Sequence, residues 1–386
     1  MNRVITAARV AAATLALVAG TVHAVEIPSP DHWTVETGAS YLSWTSDLDR
    51  SGHEWAAPLG VGYRTSDGVL RVRFDSAFFS GRYDRKDLGA GGSVFSASKT
   101  ADSTLGLTLA APWGGARTSL AVSANLPTGD RNWEMLQRQG NLPLVLTPTR
   151  YQGRAFGLNV LGGVGRDWGA WSLSGAVGYF SSSSAPLSIL GQDVDLGNYA
   201  IAGLSLARGR DFRFRIFQSM AQDTKLGGRP SYRAPSATVL ESRWSTGNKV
   251  RATVEASASL FGKARREDPA TESLVPEGQN SFGTRLDLSP GLEYGWGPHL
   301  VLRTGVKLQD VLRNGYGSAD PLYEGGGSGI GVSQDFLWRT SRNVALDFLL
   351  GYSRLVNRDA GLTADLQLAD VTYDVVTLGT RVAFQW

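Results

Sequence analysis

The chain has 386 residues, carries 38 Lys and Arg against 35 Asp and Glu, and contains no cysteine. That balance excludes a strongly basic nucleic-acid-binding surface, and the lack of thiols excludes disulfide staples and cysteine-held metal. A slightly negative mean hydropathy and a single long apolar run exclude a helical membrane protein.

The first element is a leader. Arg3 and Arg9 form a basic region, 10–20 is apolar and uncharged, and Val22-His23-Ala24 places small residues where a signal peptidase cuts. The run is too short for a spanning helix, which needs about 20 residues. Residues 1–24 are therefore expected to be a cleaved signal peptide. Its loss removes two arginines and no acid, taking the net charge from +3 to +1. The mature chain, 25–386, is then an exported protein that folds without disulfides.

From residue 33 onward the pattern has period two, which is the mark of strands with two unlike faces. In 69–80, Leu70, Val72 and Phe74 alternate with Arg71, Arg73 and Asp75. In 211–220, Phe212, Phe214 and Ile216 alternate with Arg213 and Arg215. In 249–261, Val250, Ala252, Val254, Ala256, Ala258 and Leu260 oppose Arg251, Thr253, Glu255, Ser257 and Ser259. In 281–295, Leu286, Leu288, Leu292 and Tyr294 oppose Arg285, Asp287, Ser289 and Glu293. Further strands are read at 33–45, 55–65, 102–112, 117–126, 153–167, 169–181, 196–207, 236–246, 299–311, 325–338, 343–355 and 373–386. That makes about 16 strands, or 14 or 18 if one has been split or merged.

Tight connections fall at 65–68, 112–115, 166–169, 208–210, 246–248, 296–298 and 339–342. Longer polar ones fall at 46–54, 81–101, 127–152, 182–195, 221–235, 262–280, 312–324 and 356–372, in strict alternation with the tight ones. Short turns at one end, long loops at the other and an even strand count predict an all-β fold: a transmembrane, antiparallel, up-and-down β-barrel spanning 25–386. A sheet survives in hydrocarbon only if it closes, because every backbone N–H and C=O needs a partner there. A large soluble β-sandwich would need shorter strands and a charged outer face. Trp113, Trp168, Trp171, Trp244, Trp296, Trp338 and Trp386 sit at or beside the predicted short-turn end, as an interfacial girdle requires.

The last twelve residues, VVTLGTRVAFQW, alternate Val376, Leu378, Val382, Phe384 and Trp386 against Thr377, Gly379, Arg381 and Gln385. With the leader and the amphipathic strands, this ending resembles the outer-membrane β-barrel proteins of Gram-negative bacteria. The resemblance implies residence in the cell outer membrane, periplasmic termini, contact with outer-membrane lipid, and recognition of Phe384 and Trp386 by the barrel-assembly machinery. Thr380 departs from that pattern, where an apolar residue is usual. The stretch SLAVSANLPTGDRN, with Leu126-Pro127-Thr128-Gly129-Asp130, is similar to a segment of the outer-membrane transporter family linked to meta-pathway phenol degradation. That similarity implies organic or aromatic solutes. The residues alone fit a plain strand-to-loop turn better, since Pro, Thr, Gly and Asp turn a strand into a loop.

No catalytic, metal or cofactor site is expected. The mature histidines are His32, His53 in a loop, and His299 at a tight turn, none near another. The glycines at 325–329 lack the Lys-Ser/Thr of a phosphate loop. Asp47 and Asp49 lack the further ligands of a calcium loop.

If the apolar face meets lipid, the polar face lines the lumen. The expected basic lining is Arg71, Arg73, Arg213, Arg215, Arg243, Arg251, Arg285, Arg303, Lys307 and Arg381. The expected acidic lining is Asp75, Glu241, Glu255, Asp287, Glu293, Asp335 and Asp347. These charges are expected to pair across neighbouring strands and stiffen the wall, as Glu241 with Arg251 or Asp287 with Arg303 could. The basic excess favours anions. The loop at 127–152 is too apolar for free solvent, and is expected to fold inward or to close over the mouth. Folded inward, Arg131, Glu134, Arg138 and Arg150 would line a constriction. The expected function is a channel for passive diffusion of small solutes, anionic or organic, and not an enzyme. The alternatives are an export barrel for a secreted polysaccharide and a plugged structural or adhesive barrel.

Overall fold

The structure is a computed structural model, and it describes residues 32–85, 93–129, 156–182, 185–187, 192–195, 197–268, 270–271, 273–320, 322–362 and 368–386. The chain begins with β1 (His32–Ser46), β2 (Arg50–Arg64), β3 (Leu70–Arg85), β4 (Ser93–Thr100), β5 (Ser103–Trp113), β6 (Ala116–Leu126), β7 (Gly157–Trp168) and β8 (Trp171–Ser182). It continues through β9 (Ala185–Leu187), β10 (Gln192–Asp195), β11 (Tyr199–Arg208), β12 (Phe212–Ala221), β13 (Asp223–Leu226), β14 (Arg229–Arg233) and β15 (Ala237–Thr246). The last elements are β16 (Val250–Phe261), β17 (Arg265–Asp268), β18 (Ser273–Pro276), β19 (Arg285–Trp296), β20 (Leu300–Val311), β21 (Gly327–Arg339), β22 (Val344–Leu362) and β23 (Leu368–Gln385).

Each long strand pairs antiparallel with the next long strand in sequence. β4 and β5 both pair with β3, β4 along Phe78–Arg85 and β5 along Leu70–Asp75, so they form one stave interrupted at Ala101-Asp102. The sheet is thus a closed barrel of 16 staves. It closes where β1 meets β23, in register from Thr34 opposite Gln385 to Ser46 opposite Tyr373. Beyond that register, Trp33 N–H donates to the Trp386 carbonyl at 3.0 Å, and Trp386 N–H donates back to Trp33 at 3.2 Å. Closure leaves no row of unpaired backbone groups along the wall, which hydrocarbon would penalise by several kcal/mol per group.

The two faces of the wall differ as alternation dictates. On one, Leu105, Leu107 and Leu109 of β5 and Leu286, Leu288 and Leu292 of β19 stand exposed. On the other lie the ion pairs of Glu36, Glu241, Glu255, Asp287 and Glu293 and a buried cluster of Trp44, Phe79, Val371, Tyr373 and Val375, while Arg354–Asp374 and Arg358–Asp310 lie on the outer parity toward the long-loop end. A side chain on a one-layer wall can be fully buried only on the concave side. The ion-pair face is therefore inside and the apolar face outside, the polarity of a membrane-spanning barrel. Leu48, from the β1–β2 turn, packs against the buried cluster.

The tight turns are built by glycine where the twist needs it. Gly114 and Gly115 have φ of 57° and 79°, so the two-residue β5–β6 loop has the left-handed conformation that matches strand twist. Trp113, Trp168, Trp244, Trp296, Trp338 and Trp386 are exposed at this end, where an indole finds apolar and polar partners together. Trp171 stacks edge-on with Phe212 at 6.1 Å, and the Arg208 guanidinium lies 5.8 Å above its ring.

Several connections differ from the sequence reading. The 46–54 segment is no long loop: β2 already begins at Arg50, so β1 and β2 are joined by a tight turn, and His53 lies in a strand. There the Asp47 carboxylate accepts from Thr372 N–H at 3.1 Å, which ties the turn to β23. Segments 182–195, 221–235 and 262–280 are not plain loops either. They contain the hairpins β9–β10, β13–β14 and β17–β18, which join into a second, 6-stranded sheet at the long-loop end. A small core of Tyr232, Ala264 and Phe282 supports that sheet. β3, β22 and β23 also run further into this end than the alternation predicts, because their backbones keep pairing beyond the apolar stretch. The expected signal peptide, 1–24, lies outside the described residues.

Candidate functional site

The inner face carries the chemistry. Its central feature is a cluster spanning the closing seam. Glu36 of β1 accepts from Arg381 of β23 at 2.6 Å and from Arg73 of β3 at 3.0 Å. Arg73 Nε also donates to the Asp75 carboxylate at 2.8 Å. β3 is not a neighbour of β1, since β2 lies between them. Gly60 of β2 stands opposite both Glu36 and Asp75. A Cβ there would lie 2.9 Å from the Arg73 guanidinium and 2.9 Å from Asp75, so the bridge exists because Gly60 has no side chain.

Several other charges pair between adjacent strands or along one. Arg285 bonds Asp287 at 2.8 Å, with Lys307 at 4.0 Å. Arg303 bonds Glu293 at 2.9 Å, Arg215 bonds Glu241 at 3.6 Å, and Arg243 bonds Glu255 at 3.3 Å. The two pairings expected from the sequence do not form. Glu241 stands opposite Arg215 and Ser257, whereas Arg251 stands opposite Glu293. Asp287 stands opposite Ser257 and Gln309, and Arg303 opposite Glu293 and Asp335. Strand register, which charge pattern alone does not reveal, selects the partners.

Arg71 faces Arg64 across β2–β3, and Arg213 faces Arg243 across β12–β15. Asp347 stands opposite Arg381. All these groups share the inner parity. So do residues that the sequence reading missed, among them Glu36, Arg50, Glu54, Arg64, Arg117 and Asp167. Glu36 is a single charge on a strand of hydroxyl and apolar residues, yet its alternation with Val35 and Thr37 does signal its side. Arg131, Glu134, Arg138 and Arg150 lie outside the described residues.

The Leu126–Gly129 segment closes the interrupted stave. Thr128 Oγ1 donates to the Ala101 carbonyl and accepts from Ser103 N–H, each at 2.9 Å. Gly129 N–H and the Asn125 amide donate to the Asp102 carboxylate at 2.9 and 3.1 Å. These bonds replace the ladder that the break at Ala101-Asp102 interrupts.

The loops at the far end are held by a buried carboxylate. Glu277 accepts from Ala264 N–H, Ser281 N–H and the Ser281 hydroxyl at 2.8–3.0 Å, and from the Tyr316 hydroxyl at 3.4 Å. Burial, and then the Glu277 charge, push the Tyr316 hydroxyl above its ordinary pKa. The Asp359 carboxylate, which accepts from Tyr323 at 2.6 Å, raises that phenol too. At the opposite end, the Thr65 hydroxyl and the Val69 amide hold the Asp67 carboxyl below the usual range.

No family model and no curated protein matches the sequence. Several solved structures are similar over most of the chain. A bacterial polysaccharide outer-membrane secretin is 9% identical with a TM-score of 0.46, covering 93% of this chain and 100% of that one. The anion-selective porin from Comamonas acidovorans is 14% identical with a TM-score of 0.45, covering 91% and 98%. A deltaS2S3 mutant of the TodX monoaromatic hydrocarbon channel is 11% identical with a TM-score of 0.45, covering 93% and 91%. Likeness at this level carries no argument about cargo.

Proposed function

We propose that this protein is an outer-membrane channel for passive diffusion of small solutes, favouring anions. The observation that carries the reading is the closed wall with a charged, ion-paired interior and an apolar exterior. Charges inside a dry barrel would cost several kcal/mol each unless fully satisfied. Ser119, Ser174, Arg71, Arg73 and Arg213 are all exposed on the inner face, which fits a wet lumen. A barrel of this strand number is wide enough for an aqueous path.

In this reading the short-turn end is periplasmic, and the leader directs export. Phe384 and Trp386 serve as the assembly signal. The 127–152 loop narrows the pore. The solute is a small anion or an organic molecule.

Planar-bilayer recording of the purified protein tests the reading, with discrete single-channel steps expected. A complete lack of conductance would shift the assignment to a plugged or export barrel. Deleting 131–146 should raise single-channel conductance and change selectivity; unchanged values would remove the loop from the pore.

A further inference from the structure

The inner wall is divided lengthwise, and the division bears on what passes. Every stave from β12 through β23 and on to β3 carries at least one charged residue on its inner parity: Arg213, Glu241, Arg251, Asp287, Arg303 and Asp335 begin the series. The contiguous staves β5, β6, β7, β8 and β11 behave otherwise. Along β5, β6, β7, β8 and β11 themselves the only charges at described inner positions are Arg117 and Asp167, which neutralise each other at 2.7 Å beside the short turns; beyond them, at the break in the first of these staves, stand Asp102, held by Asn125 and Gly129, and Lys99, opposite Phe79. The rest of this sector is small or neutral, as in Gly106, Ser123, Gly163, Ala176, Gly178 and Gly203. Toward its long-loop end, Phe180 and Tyr199 stack face to face at 4.4 Å and 5°.

We infer that the channel selects amphipathic organic anions, carried sideways. The anionic head travels along the ion-paired sector, where guanidiniums such as Arg73 and Arg213 offer donors. The apolar body slides along the neutral sector, entering over the Phe180–Tyr199 pair. An apolar group beside paired charges would strip water from them at a cost. Beside small neutral residues it strips little, and the low side chains leave it room. The inference rests on the channel reading and deepens it.

The test uses purified full-length protein in planar bilayers, with reversal potentials for methanesulfonate and butanesulfonate. Both are permanently charged and differ only in apolar length. A simple sieve passes the longer anion more slowly. The expected result is a butanesulfonate permeability equal to or above that of methanesulfonate. Ser174→Lys and, independently, Ser119→Lys place a charge on the neutral sector. Each should lower the butanesulfonate-to-methanesulfonate ratio by about three- to tenfold, while raising methanesulfonate permeability. Ser174→Gln, similar in length but uncharged, should keep the ratio.

A wild-type ratio that merely follows size overturns the inference. So does an equal rise for both anions in the lysine variants, which is what bulk electrostatics would give. A Gln variant as impaired as the Lys variant points to bulk alone and also overturns it. If the wild type passes no ions of any kind, the channel reading itself fails, and that outcome is distinct from all of these.

Discussion

At Gly60 a missing side chain decides where charges meet. Arg73 crosses β2 to reach Glu36 because nothing stands above Gly60, and the atoms a Cβ would strike are the mobile ends of Arg73 and Asp75. Gly60→Val should therefore displace the guanidinium without breaking the wall. Partly exposed pairs contribute only about 0–1 kcal/mol, so the heat-induced unfolding of the barrel should shift little. Glu36→Gln is a different perturbation. It removes the common acceptor of Arg73 and Arg381, and leaves two cations on the inner face without it. The anion-over-cation permeability ratio from reversal potentials should rise by about twofold. A ratio unchanged in Glu36→Gln would mean that this cluster is structural and lies off the ion path.

At the scale of elements, the interrupted stave shows how a loop residue completes a wall. Ala101 N–H still reaches the Ala77 carbonyl of β3 at 2.7 Å, while the Thr128 hydroxyl partners the Ala101 carbonyl and the Ser103 N–H, and Asp102 binds the chain that follows. Thr128→Val keeps the shape and removes those bonds. It should destabilise the barrel by about 1–3 kcal/mol, read as a lower temperature for loss of the compact, heat-modifiable gel form. Limited proteolysis near 126–129 should accelerate in parallel. A variant indistinguishable from wild type in both assays would show that the ladder on either side suffices.

The break itself was not legible in the sequence, because SKTADST offers turn residues without saying that two short strands share one partner. The staves were legible: Leu-Arg-Val-Arg-Phe and Phe-Arg-Phe-Arg-Ile spell out two faces in a run of five residues. Arg50 and Glu54 were lost to a supposed loop because Asp47, Asp49 and Gly52 look like turn residues, yet the wall absorbs Gly52 into β2. The hairpins β9–β10, β13–β14 and β17–β18 are too short for alternation to emerge, and pair only because neighbouring loops supply edges. Which face a residue takes follows from parity. Which residue it meets follows from register, which turn length and closure set together.

On the scale of the whole molecule, charge is distributed unevenly along the axis as well as around it. Arg71, Arg213 and Arg251 each lie one residue inside the short-turn end of their strand. Among the described residues none of the three has a carboxylate within ion-pair distance, unlike Arg73, Arg215 and Arg243 nearby. The positive excess is thus gathered at one mouth, where it faces solvent and acts on ions before they enter. Such a field has two signatures. Current in symmetric dilute salt should be larger for one sign of voltage, because anions are concentrated at one mouth only. The asymmetry should fade as salt rises, since the screening length falls from about 10 Å at 0.1 M to about 3 Å at 1 M. Replacing all three arginines by glutamate should abolish or invert the rectification, and lower the anion-over-cation permeability ratio by about three- to tenfold in dilute salt. In 1 M salt the same variant should approach the wild type. Selectivity that survives high salt would instead place the discriminating contact inside the lumen, among the partly buried pairs around Glu36 and Asp287.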